Sequence, residues 1–252
     1  EIDFVVTTSG AELLDVPNRL GTSPEVASRF MDKGKTHGFF ESIGVPVPRR
    51  LSDGEYPAMM KTLSGAGGWR NAVVRSDAER AAWEEFVEHE PFLMQEVIEG
   101  TPASVSCVGT GTTAKAIAAN EQILRCWESC AYAFSGSVTP CMHPMVERMK
   151  EIAEKIVAAS RCVGSVGVDF VLTATEAYAI EVNPRFQGTV ETVEAATGVN
   201  LFRMHMDACR GVLPDAVPKP RQFCVRRILA APEPLVMKTD MRDLSGFITD
   251  IP

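Results

Sequence analysis

The stretch VGVDFVLTATEAYAIEVNPRFQGT, residues 166–189, decides how the rest of the chain is interpreted. It holds two short apolar runs on either side of a turn. In the second run, residues 178–183, large apolar side chains alternate with Ala179, Glu181 and Asn183. A period of two predicts a strand whose two faces differ. Glu181 and Asn183 therefore lie on one face of the second strand of a predicted hairpin.

The first run carries Asp169, a third oxygen ligand. If the turn has odd length, paired residue numbers sum to an even value, and a sum of 350 places Asp169 opposite Glu181. An even-length turn would place Asp169 on the other face. Mg²⁺ prefers oxygen ligands and keeps waters and substrate phosphates as its remaining partners. The stretch therefore predicts a metal site made of Asp169, Glu181 and Asn183.

An edge hairpin with a solvated acidic face would show the same alternation, so a second feature has to favour the metal site. Asn183-Pro184-Arg185 follows the second strand directly. A guanidinium held beside two acids suits a phosphate or a carboxylate. This neighbour favours an anion-binding site over a solvated edge.

The same residues resemble a known family. G-x-D-F (167–170) and E-V-N-P-R-F-Q-G-T (181–189) are similar to the metal-binding end of the ATP-grasp superfamily, in particular to members related to carbamoyl-phosphate synthetase and to archaeal carboxylate–amine ligases. One such motif can arise by chance, so the upstream blocks decide. They occur in order: Asp32-Lys33, then Gly44-Val45-Pro46-Val47-Pro48; the lysine strand Pro57 to Lys61; the glycine loop Gly65-Ala66-Gly67-Gly68; and the hinge strand Gln95 to Gly100.

The resemblance implies an α+β, ATP-grasp fold in which two α/β lobes clasp a nucleotide. It places the end of a preceding, incomplete α/β domain at residues 1–30. The small lobe with the glycine loop then covers residues 31–94, and the hinge and the large lobe cover residues 95–252.

The resemblance also implies a set of nucleotide-binding residues: Lys33, Lys61, Gly65, Gly67, Gly68, Glu96, Val97, Ile98 and Glu99. Three glycines in four positions independently suit a backbone cradle for an anion, although a hairpin loop would look the same. Lys33 sits unfavourably near a predicted helix start, which suggests an anion partner, although a solvated lysine is as good an interpretation. The chain departs from the family at Ala103, where many members carry a glutamate, and this puts the ribose contact in question.

The activity that the resemblance implies is that of a ligase dependent on ATP and Mg²⁺. One or two Mg²⁺ ions, or Mn²⁺ instead, bridge the phosphates, and Lys61 and Arg185 are the expected catalytic residues. A small-molecule carboxylate is phosphorylated to an acyl phosphate, which an amine attacks to form an amide. Two alternatives stay open: an enzyme that phosphorylates bicarbonate, of the carbamoyl-phosphate synthetase or biotin carboxylase type, and a non-catalytic ATP sensor.

Composition limits the classes of partner and the environment that the sequence predicts for this protein. A net charge of −8 and a pI near 5.1 argue against general nucleic-acid binding, which needs a basic surface. Seven cysteines in no paired pattern predict reduced thiols and a cytoplasmic protein. No apolar run is long enough to span a membrane. A homodimer is left open.

The remaining chain predicts supporting elements. Helices are expected from Pro24, from Asp32, from Ser76, over residues 144–161, and over 190–197 and 200–209, with strands at residues 1–9 and 222–231. The aromatic segment 125–140 looks irregular and is expected to line the acceptor site. His143, just before the long helix, is expected to be structural.

Overall fold

A computed structural model describes residues 3–125 and 131–228. Its helices are α1 (Pro24–Ser28), α2 (Lys33–Ser42), α3 (Asp77–Phe86), α4 (Val146–Ser160), α5 (Val190–Thr197) and α6 (Leu201–Cys209). Its strands are β1 (Ala58–Thr62), β2 (Ala72–Val74), β3 (Phe92–Glu96), β4 (Thr101–Thr110), β5 (Ala114–Leu124), β6 (Phe134–Thr139), β7 (Val163–Leu172), β8 (Ala177–Asn183) and β9 (Cys224–Arg227). Over these two ranges, no helix combines the length and apolar character needed to cross a membrane.

Side chains just before three helices fix where those helices begin. Ser23, Asp32 and Ser76 each accept a hydrogen bond from the backbone N–H three residues later. Such caps satisfy N–H groups that have no partner inside the helix. The predicted starts of α1, α2 and α3 are confirmed.

The first sheet is small and antiparallel, with strand order β2-β1-β3. Met60 and Met94 lie opposite each other across β1 and β3 and pack with Trp83 of α3 in a hydrophobic cluster. Because side chains alternate along a strand, Lys61 of β1 and Gln95 of β3 point to the opposite face. That face looks toward the second sheet, since the charge of Glu181 on β8 acts on Lys61.

The second sheet is antiparallel, with strand order β8-β7-β4-β5-β6-β9. One face is apolar and packs against Met149, Ile152 and Ile156 of α4. The other face is covered in part by α5 and α6, which form a separate cluster around Val193 and Leu201. The uncovered part of this second face carries Asp169 and is the floor of the candidate site.

The β7–β8 hairpin forms the predicted pair of Asp169 and Glu181, but with a different turn length and a bulge. Leu172 pairs with Ala177, so the turn holds four residues, 173–176. The prediction required a turn of odd length, and that part of it is wrong. A β-bulge leaves Ile180 unpaired, since Phe170 pairs with Ala179 while Asp169 pairs with Glu181. The extra residue shifts the register by one and turns the acids to the same face. The predicted pair therefore forms.

Two predicted elements need correction. Residues 134–139 are not irregular: they form β6, which pairs with both β5 and β9. The run is rich in serine and glycine and carries a weak strand signal, so its conformation is set by the neighbouring strands. At the N-terminus, the predicted strand is reduced to one bridge between Val5 and Arg19.

Parts of three predictions lie outside the described residues. They are positions 1–2 of the first strand, the end of the closing strand from residue 229 together with the rest of the chain, and residues 126–130 of the proposed acceptor wall.

Candidate active site

Asp169 is held by three amide groups on the polar face of the second sheet. Gln122 and Gln187 donate to its Oδ1 at 3.0 and 3.3 Å, and Asn183 donates to its Oδ2 at 3.0 Å. Gln187 reaches Asp169 by lying across Gly167, where an added Cβ would be 1.7 Å from the Gln187 Cδ atom. The carboxylate of Asp169 is therefore fixed in orientation.

Glu181 is paired with Asp169, and its side chain has neither a hydrogen bond nor a salt bridge to any residue in the described ranges. Burial, together with the nearby charge of Glu181, raises the pKa of Asp169 to about 7. Two acids that repel each other in a partly buried site would be stabilised by a cation between them. The donor set of Asp169, Glu181 and Asn183 consequently fits Mg²⁺.

The protein supplies few ligands to such an ion. In the parts of the chain that the structure describes, no group of three or more histidine, cysteine, aspartate or glutamate side chains is placed to hold a metal. Two carboxylates and one amide leave several positions of an octahedral ion to waters or phosphate oxygens. This pattern is usual where Mg²⁺ arrives with a phosphate substrate.

Two lysines lie near each other, Lys61 on the first sheet and Lys33 on α2. Lys61 is 7% exposed and donates to Gln95 Oε1 at 2.9 Å. Burial lowers the pKa of Lys61 to about 8, with the charge of Glu181 opposing the shift and the charge of Lys33 adding to it. Lys33 donates to the carbonyl of Gly65 at 2.7 Å. The structure therefore places Lys61 within range of both Glu181 and Lys33, and Lys33 against the glycine loop.

The glycine loop adopts left-handed backbone conformations and touches the large sheet. Gly65, Gly67 and Gly68 have φ angles of +99°, +75° and +71°. The carbonyl of Gly67 accepts a hydrogen bond of 3.0 Å from the Phe134 N–H at the start of β6. A Cβ at Gly68 would lie 2.2 Å from the Tyr132 carbonyl oxygen. The loop is therefore docked where only glycine fits.

Arg185 lies next to the acids but has its own partners. Its Nε donates to Glu12 Oε1 at 2.7 Å, its Nη1 to the Phe186 carbonyl at 2.9 Å, and its Nη2 to Asn183 Oδ1 at 3.0 Å. The amide oxygen that would bind Mg²⁺ thus also faces Arg185. The catalytic role of Arg185 stays a prediction.

The hinge presents backbone groups rather than charged side chains. Glu96 uses Oε1 to accept a hydrogen bond from the Arg49 N–H, and Glu99 is exposed. The N–H groups of Val97 and Ile98 meet no acceptor among the described residues. An edge with free N–H groups between two sheets suits a flat heterocycle, as predicted for the adenine.

Ala103 points to the face of the second sheet opposite to Asp169. It is fully buried in the α4-side core, while its neighbour Ser104 shares the face of Asp169. A carboxylate at position 103 would be buried among apolar side chains at high cost. The departure from the family pattern is therefore compatible with the packing here.

The sequence predictions missed Gln95, Gln122, Gln187 and Glu12. Gln187 lies inside the quoted motif but carries no charge to single it out, and Gln122 needs the β5 register to reach Asp169. Gln95 could have been found from its alternation with apolar neighbours on β3. Glu12 is 173 positions from Arg185, and no local pattern connects them.

Comparison with known proteins finds one family model and several relatives. A family model described as an ATP-grasp domain matches residues 30–189. An uncharacterized protein of Methanocaldococcus jannaschii is 25% identical over 270 residues, which cover 100% of this chain and 65% of that protein. The carbamoyl phosphate synthase large chain of Rubrobacter xylanophilus is 27% identical over 230 residues, which cover 80% of this chain and 21% of that one.

The chain also resembles a solved structure with bound ligands. The biotin carboxylase domain of the Hydrogenobacter thermophilus 2-oxoglutarate carboxylase, in complex with MgADP and bicarbonate, matches with a TM-score of 0.69 at 17% identity. The match covers 82% of this chain and 52% of that chain. This likeness concerns the fold. The chain spans less than two thirds of the length of each of these three proteins.

Proposed function

The chain belongs to the ATP-grasp family, and from that premise we propose that it is a Mg²⁺-dependent ligase that uses ATP to join a carboxylate to an amine. One observation carries the proposal. Lys61 from one sheet lies within range of the charge of Glu181 from the other sheet, Glu181 is paired with Asp169, and Lys33 joins the group through its hydrogen bond to the carbonyl of Gly65 in the glycine loop. Cations and acids in this arrangement suit a metal-bound polyphosphate.

Each group has a role in the proposed reaction. Asp169, Glu181 and Asn183 would hold one or two Mg²⁺ ions, with Mn²⁺ as an alternative. Lys33 and Lys61 would neutralise phosphate oxygens, and the free N–H groups of the hinge would bind the adenine edge. When bound, MgATP supplies the phosphoryl group that activates the carboxylate. Charge stabilisation and positioning account for most catalysis of this kind.

The chemistry after activation depends on excluding water. A carboxylate activated by phosphorylation is open to attack by an amine, which forms the amide, and equally by water, which wastes the nucleotide. The glycine loop is held against β6 by the bond between Gly67 and Phe134. A loop docked there would shield the activated group from solvent. Arg185 would orient the carboxylate or the activated group from the side of the acids.

The proposal is tested by measuring ADP formation from MgATP with a panel of amino acids and amines, and identifying any amide by mass spectrometry. ADP release that requires both a carboxylate and an amine supports the ligase. ADP release that requires bicarbonate instead supports an enzyme of the kind found among the carbamoyl phosphate synthase relatives. Stabilisation against heat by MgATP with no turnover under any condition would leave a nucleotide sensor.

Lys61 gives the site a predicted pH dependence. Because the pKa of Lys61 is about 8 in the folded protein, its ammonium group is present below that pH and lost above it. Affinity for a Mg²⁺-bound nucleotide is therefore expected to fall as the pH rises from 7 to 9. The measurement is calorimetry with a non-hydrolysable ATP analogue, and Lys61→Met should bind weakly with no step near pH 8.

The same shift has a linked effect on stability. The unfolded chain keeps a lysine pKa near 10.5, so between about pH 8 and 10.5 the unfolded state binds a proton that the folded state has lost. In the absence of nucleotide, this group makes the free energy of unfolding rise with pH over that window.

For nucleotide binding, the comparison with Lys61→Met decides. A wild-type protein whose nucleotide affinity follows the same pH curve as Lys61→Met would contradict the contact proposed between Lys61 and a phosphate.

A further inference from the structure

The N-terminal segment, residues 3–22, contributes a carboxylate to the edge of the candidate site. Glu12 accepts a hydrogen bond of 2.7 Å from Arg185 Nε, and the side chains of the two residues are 10% and 11% exposed. The next most buried salt bridge given for the described residues, Arg80 with Glu84, has side chains that are 20% and 25% exposed. Shielded pairs hold a side chain far more firmly than exposed pairs.

The contact continues into the proposed metal site. Arg185 Nη2 donates to Asn183 Oδ1 at 3.0 Å, and Asn183 Nδ2 donates to Asp169 Oδ2 at 3.0 Å. A chain of three hydrogen bonds thus leads from Glu12 to a candidate metal ligand. Each bond fixes the orientation of the next group, because an amide or a guanidinium has few ways to satisfy both ends at once.

We propose that Glu12 is a positioning residue for the nucleotide site, acting through Arg185; this rests on the proposed function. The charge of Arg185 already acts on Asp169. Without Glu12, the guanidinium would be free to turn toward Asp169, a carboxylate on which its charge already acts and one of the proposed Mg²⁺ ligands. Glu12 holds the arginine to one side, so the two carboxylates stay available to the metal and the Asn183 oxygen keeps its direction.

Hydrogen bonds to Arg19 and Thr22 hold the backbone around Glu12 in place. Arg19 Nη2 donates to the Glu12 carbonyl at 2.8 Å, and Arg19 Nε donates to the Thr22 carbonyl at 2.7 Å. The Thr22 hydroxyl in turn donates to the Val163 carbonyl and accepts from the Val163 N–H at the start of β7. The carboxylate is therefore positioned before a nucleotide arrives, so little ordering is needed on binding.

The test is a double-mutant cycle on the binding of a non-hydrolysable ATP analogue with Mg²⁺, measured by calorimetry. Glu12→Ala is expected to weaken binding about tenfold, the lower end for residues that orient a metal ligand. In an Arg185→Ala background, Glu12→Ala should have no further effect, because Glu12 acts only through Arg185. Glu12→Gln keeps one acceptor without the charge and should be intermediate, which provides a second variant if the alanine protein does not fold.

A readout without nucleotide accompanies the cycle. The Nε–H resonance of Arg185 in an NMR spectrum should shift in Glu12→Gln. It should not shift in Asp3→Asn, a control that removes an exposed carboxylate from the same segment. Independent, additive losses in the cycle, or wild-type affinity in Glu12→Ala, overturn the role of Glu12. If the wild-type protein binds the analogue but forms no amide with any substrate, the ligase proposal fails while the cycle still decides the role of Glu12. A wild-type protein that does not bind the analogue overturns both.

Discussion

Glu181→Gln is expected to lower Mg²⁺-dependent ADP formation by about 1000-fold. The substitution removes one of the two carboxylates that the proposed metal site has among the described residues, and a metal ion is worth several kcal/mol of charge stabilisation in such reactions. Glutamine keeps the shape of the side chain, so the loss would come from charge. The measurement is the rate of ADP release at saturating MgATP.

The same substitution should have little effect on stability. The side chain of Glu181 has neither a hydrogen bond nor a salt bridge to a described residue, and its charge repels Asp169 but attracts Lys61. Because the substitution removes one unfavourable and one favourable interaction, the melting temperature of the metal-free protein should stay close to that of the wild type. Glu151→Gln, on the exposed surface of α4, is the matched control and should keep wild-type turnover. Unimpaired Mg²⁺-dependent turnover in Glu181→Gln would remove the basis of the metal assignment.

Gly68→Ala is expected to reduce turnover by about 100-fold, because misplacing a group that completes the site by about 1 Å can cost that much. The new Cβ would lie 2.2 Å from the Tyr132 carbonyl oxygen, which belongs to the backbone and cannot rotate away. The glycine loop would have to leave β6, and the activated group would be open to water. Amide formation should fall about 100-fold, and the share of ADP that is released without amide should rise. An assay that measures ADP and amide in the same reaction tests both.

Gly211→Ala separates this clash from simple backbone strain. Gly211 has a φ of +83°, close to the +71° of Gly68, but a Cβ there meets nothing within 4 Å. Both variants should lose about 1 kcal/mol of folding stability from the left-handed conformation. Only Gly68→Ala should also lose turnover. Equal losses of activity in the two variants would show that docking of the loop against Tyr132 does not matter.

Much of the site could be read from local patterns. The alternation in residues 178–183 placed Glu181 and Asn183 on one face, and the pairing of Glu181 with Asp169 is confirmed. Helix caps and glycines with left-handed backbones are fixed by neighbours a few residues away, so the starts of three helices were predicted from sequence. The ATP-grasp fold, predicted from four ordered motifs, is confirmed by the family match.

The details that decide the chemistry lay beyond such patterns. The acids meet because a bulge at Ile180 corrects an even-length turn, and nothing in the local sequence required that bulge. The run 134–139 carried too little strand propensity to show that β5 and β9 would recruit it as β6. Its position between β5 and β9, rather than its own composition, gave it a strand conformation.

By itself, the sequence determined which residue types were available, where several helices begin, and that Glu181 and Asn183 share one face of β8, because these depend on neighbours within one or two turns. Only the tertiary structure decided that Glu12 holds Arg185 and that Gln122 and Gln187 orient Asp169. Those contacts join residues that are distant along the chain. They form only once the sheets have paired, since sheet pairing and register are settled by packing of the whole domain.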